Sequence, residues 1–80
     1  MILKVFIKNG CPRCPGAKEV AHEFDYARIY DLDEPDGLAE GAYHSVLSTP
    51  SLILVDKEDR VIRSWIGYVP SPLEIAQAAA

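Results

Sequence analysis

Hydrophobic and polar positions follow two alternating periods along this chain. Ile2 to Lys8 is nearly continuous in branched and aromatic apolar residues, the pattern of a strand covered on both faces and therefore central in a sheet. From Pro12 the period changes. Cys14, Ala17, Ala21 and Phe24 fall at i, i+3, i+7 and i+10, with Val20 beside them, and predict a helix with one inward stripe that ends near Asp25. Pro12 suits the first turn of that helix, where its missing N–H costs nothing. Ala27 to Leu32 reads as a second strand, parallel to the first because a helix lies between them.

A turn-like stretch, Asp33 to Gly37, follows, and then a weaker helical pattern from Leu38 to Leu47 with Gly41 inside it. Ser51 to Asp56 is the second continuous apolar run and the other expected central strand. Lys57 to Arg60 forms a polar turn, and Val61 to Ile66 returns as an antiparallel edge strand. Gly67 to Pro70 breaks the pattern. Ser71, Pro72 and Glu74 then open a final helix with a Ser cap, Pro at its first position and Glu at its third. The order β-α-β-α-β-β-α, joined by right-handed crossovers, predicts an α/β fold with a mixed four-stranded sheet and helices on both faces.

Eighty residues make one domain, residues 1–80. That size is near the lower limit for a self-sufficient core, because chains this short bury little more than about 60% of their unfolded surface. A net charge of −4 gives no support for nucleic-acid binding, which needs a concentrated basic face. No segment approaches the roughly 18 to 20 apolar residues that span a bilayer. The opening apolar run is short, interrupted by Lys4 and without the features of a signal peptide, so a cytoplasmic chain with no membrane partner is the expectation.

Charge placement says more than the total. Residues 1 to 18 contain Lys4, Lys8, Arg13 and Lys18 and no acid, so the only two cysteines, Cys11 and Cys14, lie in the one locally basic stretch. Lys4 is equally well read as a solubilising strand residue; Arg13, fixed between the two thiols, belongs with them.

A C-x-x-C at a strand-to-helix junction in an otherwise cysteine-free chain reads as a dithiol redox site. Thiol–disulfide exchange needs one exposed thiolate to attack and a second thiol close enough to resolve the mixed disulfide. Cys14 begins the inward stripe and is the resolving candidate; Cys11 lies at the helix mouth and is the nucleophile. Backbone N–H groups and the helix dipole there, together with Arg13, Lys8 and Lys18, are expected to lower the Cys11 pKa from about 8.5 into the range of about 3.5 to 7.5. A purely structural staple is the weaker reading, since so short a loop restricts the unfolded chain little and such bonds are rare in a reducing cytosol.

His22, two helical turns past Cys14, is too far away to serve Cys11 as a base, and a solvated or capping role is expected for it and for His44. Zinc held by Cys11, Cys14, His22 and His44 lacks the second close-spaced ligand pair that structural zinc motifs bring. Trp65 is expected to cover the core, while Tyr68 is divided between core and surface.

The order of elements, the Cys11-Pro12-Arg13-Cys14 motif and the Thr49-Pro50 pair directly before the third strand resemble the thioredoxin fold in its short, glutaredoxin-like form. The resemblance covers nearly the whole chain. Cys11-Pro12-Arg13-Cys14-Pro15-Gly16-Ala17-Lys18 is similar to the C-P-Y-C-x-x-A-K run of glutaredoxins, with Lys8 three residues before the first cysteine. The resemblance implies that Pro50 is cis and that substrate pairs with the backbone at Thr49 and Pro50. The chain also departs from both parent patterns. Trp65 to Pro70 lacks the Gly-Gly and acid with which glutaredoxins hold glutathione, and Gly10 and Val5 stand where thioredoxins have Trp and a buried acid.

Together these readings imply a monomeric thiol–disulfide oxidoreductase that reduces protein disulfides with Cys11 as nucleophile and Cys14 as resolving residue. Pro12, Arg13, Lys8 and Lys18 support the thiolate, and no cofactor is bound beyond the Cys11–Cys14 disulfide. The electron donor implied is a thioredoxin-reductase-like protein or glutathione. A disulfide oxidase or isomerase, or a non-enzymatic metal-binding C-x-x-C module, remain alternatives.

Overall fold

In a computed structural model that describes residues 1–80, the two near-continuous apolar runs become the two central strands of one sheet. The elements are β1 (Ile2–Ile7), α1 (Cys14–Ala21), β2 (Ala27–Asp31), α2 (Pro35–Tyr43), β3 (Ser51–Val55), β4 (Val61–Ile66) and α3 (Pro72–Ala79). The sheet order is β2-β1-β3-β4. β1 runs parallel to β2, and the β1–β3 and β3–β4 pairs are antiparallel, which is the expected mixed sheet with β4 at one edge.

Alternation along β1 divides the interior. Leu3, Val5 and Ile7 face α1 and α3 and join Cys14, Ala17, Ala21, Leu52, Leu54, Trp65 and Ile75 in the larger core cluster. Phe6 faces the other way, where it packs with Ile53 and Val55 in a smaller cluster on the α2 side. Helices therefore cover both faces. Trp65 is fully buried, and its indole N–H donates to Glu74 Oε2 at 2.9 Å, so the one polar atom of the largest core side chain is satisfied by α3. The Ser71 cap forms as expected, its hydroxyl accepting the Glu74 N–H at 3.2 Å.

Three boundaries differ from the sequence reading. α1 begins at Cys14, so Pro12 lies in the turn before it and Pro15 is the first-turn proline. α1 also stops at Ala21 instead of near Asp25. Glu23 and Phe24 close a tighter turn onto Val20 and Ala21, and Phe24 still packs against the core from outside the helix.

The third difference is α2, which starts at Pro35 and ends at Tyr43, where the pattern pointed to Leu38 through Leu47. Pro35-Asp36-Gly37 looks like a turn, yet a proline and an acid in a first helical turn are equally favourable. Gly37 has a packing reason. A Cβ at this position would lie 2.0 Å from the Asp31 carbonyl oxygen, so only glycine lets α2 approach the end of β2. Backbone cannot swing aside as a side-chain tip can. Gly37→Ala is therefore expected to cost at least about 3 kcal/mol, the upper part of the overpacking range. Chemical denaturation measures this; a loss below about 1 kcal/mol would show that α2 can slide on the sheet.

Candidate active site

The pairing register brings the chemistry-bearing segments to one end of the sheet. Phe6, near the end of β1, pairs with Ser51 at the start of β3, which pairs in turn with Ile66 at the end of β4. The β1–α1 turn that holds Cys11 and the corner that holds Thr49 and Pro50 therefore share that end. The Thr49–Pro50 bond is cis, as the resemblance implies.

Cys11 and Cys14 are disulfide-bonded, with their Cα atoms 5.4 Å apart. Their surroundings differ. Cys14 is the first residue of α1 and only 4% exposed, inside the larger core cluster, whereas Cys11 lies outside the helix at its mouth and is half-buried. The Cys14 N–H donates to the Cys11 carbonyl at 3.3 Å, closing the turn between them. Gly10 enters this turn with φ of +74°, a left-handed conformation that glycine adopts without steric cost. Asn9 donates its N–H to Asp33 Oδ2 at 2.7 Å and so ties the approach to Cys11 to the β2–α2 loop.

An open pocket of ≈ 230 Å³ lies against the cysteines. Its walls bring Lys8 and Lys18 together with Cys11 and Cys14, and add Asn9 and Asp31. Of the other expected site residues, Pro12 and Arg13 are exposed on the turn and line no part of it, and neither do Thr49 and Pro50. Arg13 is the N-cap residue of α1 without a side-chain capping bond. Asp31 escaped the sequence reading because it looks like an ordinary strand-end acid. Its place depends on the parallel register, which sets it beside Ile7.

The Thr49–Pro50 corner is held by its own bonds. The Ser51 hydroxyl, fully buried, donates to the Ser48 carbonyl at 2.8 Å and accepts the Gly67 N–H at 3.3 Å, and the same N–H reaches the Pro50 carbonyl at 3.0 Å. Pro50 is buried and Thr49 half-buried. Tyr68, the residue after Gly67, is 45% exposed, which places it at the surface.

The structure corrects one polar assignment on the opposite face. Lys4 is neither a solubilising residue nor part of the basic environment of the thiols. It sits on the Phe6 side of β1, its side chain 4% exposed, bonded to Glu40 of α2, to Asp59 Oδ1 of the β3–β4 turn at 2.7 Å and to His44 Nε2 at 2.9 Å. Burial pulls the ammonium pKa down, but the hydrogen bonds to Asp59 and Glu40 outweigh it and leave Lys4 above its ordinary value. Of the solvated or capping role expected for it, His44 takes the capping place: it closes α2 as its C-cap residue, with its ring only 5% exposed. His22 likewise matches its expectation, being exposed at the C-cap of α1. His44 belongs to the α2 face, away from the cysteine pair, so the four-ligand zinc set does not assemble. A lysine in the middle of a central strand has to meet carboxylates when the sheet is covered, but which ones it meets is set by the fold.

The fold and the vicinal cysteine pair define a class: this is a thioredoxin-fold protein with a C-x-x-C disulfide at the mouth of its first helix. Among solved structures it is similar to thioredoxin 1 from Thermosipho africanus, with a TM-score of 0.72, 23% identity, and coverage of 99% of this chain and 90% of that one. It is also similar to the reduced C-terminal domain of DsbD from Neisseria meningitidis, with a TM-score of 0.69, 15% identity, and coverage of 98% and 77%. StoA from Bacillus subtilis matches with a TM-score of 0.67, 12% identity, and coverage of 99% and 81%. No protein-family model and no curated protein matches the sequence.

No helix is long and apolar enough to cross a membrane.

Proposed function

We propose that this protein is a thiol–disulfide oxidoreductase that reduces protein disulfides. The observation that carries the proposal is the asymmetry of the Cys11–Cys14 pair: a half-buried sulfur at a helix mouth beside two lysines, disulfide-bonded to a buried one.

In the reduced protein the Cys11 thiolate attacks one sulfur of a substrate disulfide and displaces the other as a thiolate, forming a mixed disulfide. The Cys14 thiol, losing its proton, then attacks Cys11 and expels the second substrate sulfur, leaving the Cys11–Cys14 bond. The protein is thereby oxidised by two electrons and the substrate reduced by two. The thiolate form of Cys11 is favoured by the start of α1 and by the positive charges of Lys8 and Lys18. Substrate backbone lies along Thr49 and Pro50, and Arg13 and Pro12 flank the reacting sulfur.

Return to the dithiol requires two electrons from a thioredoxin-reductase-like donor or from glutathione, whose carboxylates suit the two lysines of the pocket. The protein acts as a monomer in a reducing compartment, the cytoplasm, and needs no bound cofactor. Titration in defined thiol buffers with alkylation of free thiols tests the direction. A reduction potential near about −270 mV, that of thioredoxin, is expected; one near about −120 mV, that of a strong oxidant, would reverse the proposed direction.

A further inference from the structure

The three groups around Lys4 Nζ come from two elements that meet only when α2 and the β3–β4 turn close over β1. Glu40 and His44 are one turn apart on α2, and Asp59 stands in the turn with φ of +65°. Their ligand atoms lie within 4.8 Å of one another, a spacing that would suit a metal ion, but the Lys4 ammonium already bonds all three.

Lysine can only donate. The His44 Nε2 that receives its N–H must therefore be the unprotonated nitrogen, and the neutral ring carries its proton on Nδ1. Protonation of Nε2 sets a second cation against the ammonium and removes the bond between them. The nearest carboxylate able to receive the new donor is Glu40, whose Oε2 is 3.9 Å away, so the ring has to move to reach it. The other groups facing the ring are Asp59 from the β3–β4 turn, Tyr43 in edge contact on α2 and Phe6 from β1.

His44 is also the last residue before the segment that leads to the site. Ser45 turns the chain with φ of +57°, the Val46 N–H bonds the Gly41 carbonyl at 2.8 Å, and Thr49 and Pro50 follow. We infer that the Lys4–Glu40–His44–Asp59 cluster is a pH-sensitive latch: protonation of His44 frees the C-terminal end of α2 and loosens residues 45–50, the segment that carries Thr49 and Pro50. This deepens the proposed function as regulation of the same site, and rests on that reading only for its consequence, weaker docking of a disulfide substrate at acid pH.

Burial, followed by the neighbouring Lys4 charge, holds His44 below the ordinary histidine value of 6.5, while Asp59 and Glu40 oppose this. The folded state thus binds this proton more weakly than the unfolded chain. The stabilisation from neutral His44 is complete above pH 6.5 and is lost as pH falls towards and through the lower folded value.

Amide hydrogen exchange of the full-length oxidised protein tests the latch without using its redox chemistry. After correction for intrinsic rates, protection at Val46 is expected to fall severalfold between pH 7.5 and 5.0, while β1 and β3 amides hold theirs. His44→Gln keeps an acceptor for Lys4 but cannot titrate, so its Val46 protection should not change with pH. His22→Gln should behave as wild type. A ¹⁵N titration of the wild-type ring should show Nε2 as the unprotonated nitrogen at neutral pH, with a midpoint matching the loss at Val46. PH-independent protection in wild type, the same fall in His44→Gln, or a ring midpoint that does not track Val46 would each overturn the inference.

Discussion

Cys11→Ser is expected to reduce disulfide exchange to the uncatalysed background, whereas Cys14→Ser should still react once and stop as a mixed disulfide on Cys11. The difference follows from position. Cys11 is half-buried at the pocket and has no substitute as a nucleophile; Cys14 is 4% exposed and out of reach of a protein substrate, but is set to attack Cys11. Intact-mass spectrometry after mixing reduced variant with a disulfide-containing protein reads the result directly. An adduct should accumulate on Cys14→Ser and be absent from Cys11→Ser. The reverse pattern would exchange the two roles, and adducts on neither variant would remove the exchange mechanism altogether.

Lys4→Met is the second change expected to have a large effect, this time on stability. Methionine keeps the length and most of the packing of the lysine stem, so the loss reports the ammonium. Three acceptors lose their common donor, and the buried His44 Nε2 is left without one. Removing one member of a buried ionic group costs about 3–5 kcal/mol when the remaining charge stays dry. Here Glu40 and Asp59 are 29% and 45% exposed and partly rehydrate, which places the expected loss near the lower end, about 3 kcal/mol. For a domain of this size each kcal/mol moves the midpoint by about 4–8 °C. Thermal unfolding of Lys4→Met, Glu40→Gln and the double variant closes a cycle, and a coupling energy near zero would mean that the two side chains do not act together.

Much of the fold was legible because it depends on patterns that are local in the chain. The continuous runs at Ile2–Ile7 and Ser51–Val55 could only be central strands, and the Ser71-Pro72-x-Glu74 start of α3 is a complete capping signal in four residues. Boundaries failed where two readings share the same residues. Pro35-Asp36-Gly37 serves a turn or a first helical turn equally well, and the choice was made by the Asp31 carbonyl, which leaves no room for a side chain at Gly37. α1 ended early for a related reason, since Phe24 keeps its apolar contact from a turn and does not need the helix to continue.

The candidate site divides along the same line. The cysteine spacing, the strand-to-helix junction and the Lys8 and Lys18 pair are readable in order along the chain, because they lie within one β-α unit whose geometry is set by neighbouring residues. Asp31 in the pocket wall, and the meeting of Lys4 with Glu40, His44 and Asp59, are decided by tertiary structure alone. They join residues 24 and 36 to 55 positions apart through strand register and helix docking, and no local periodicity records which distant partner a strand or helix will face.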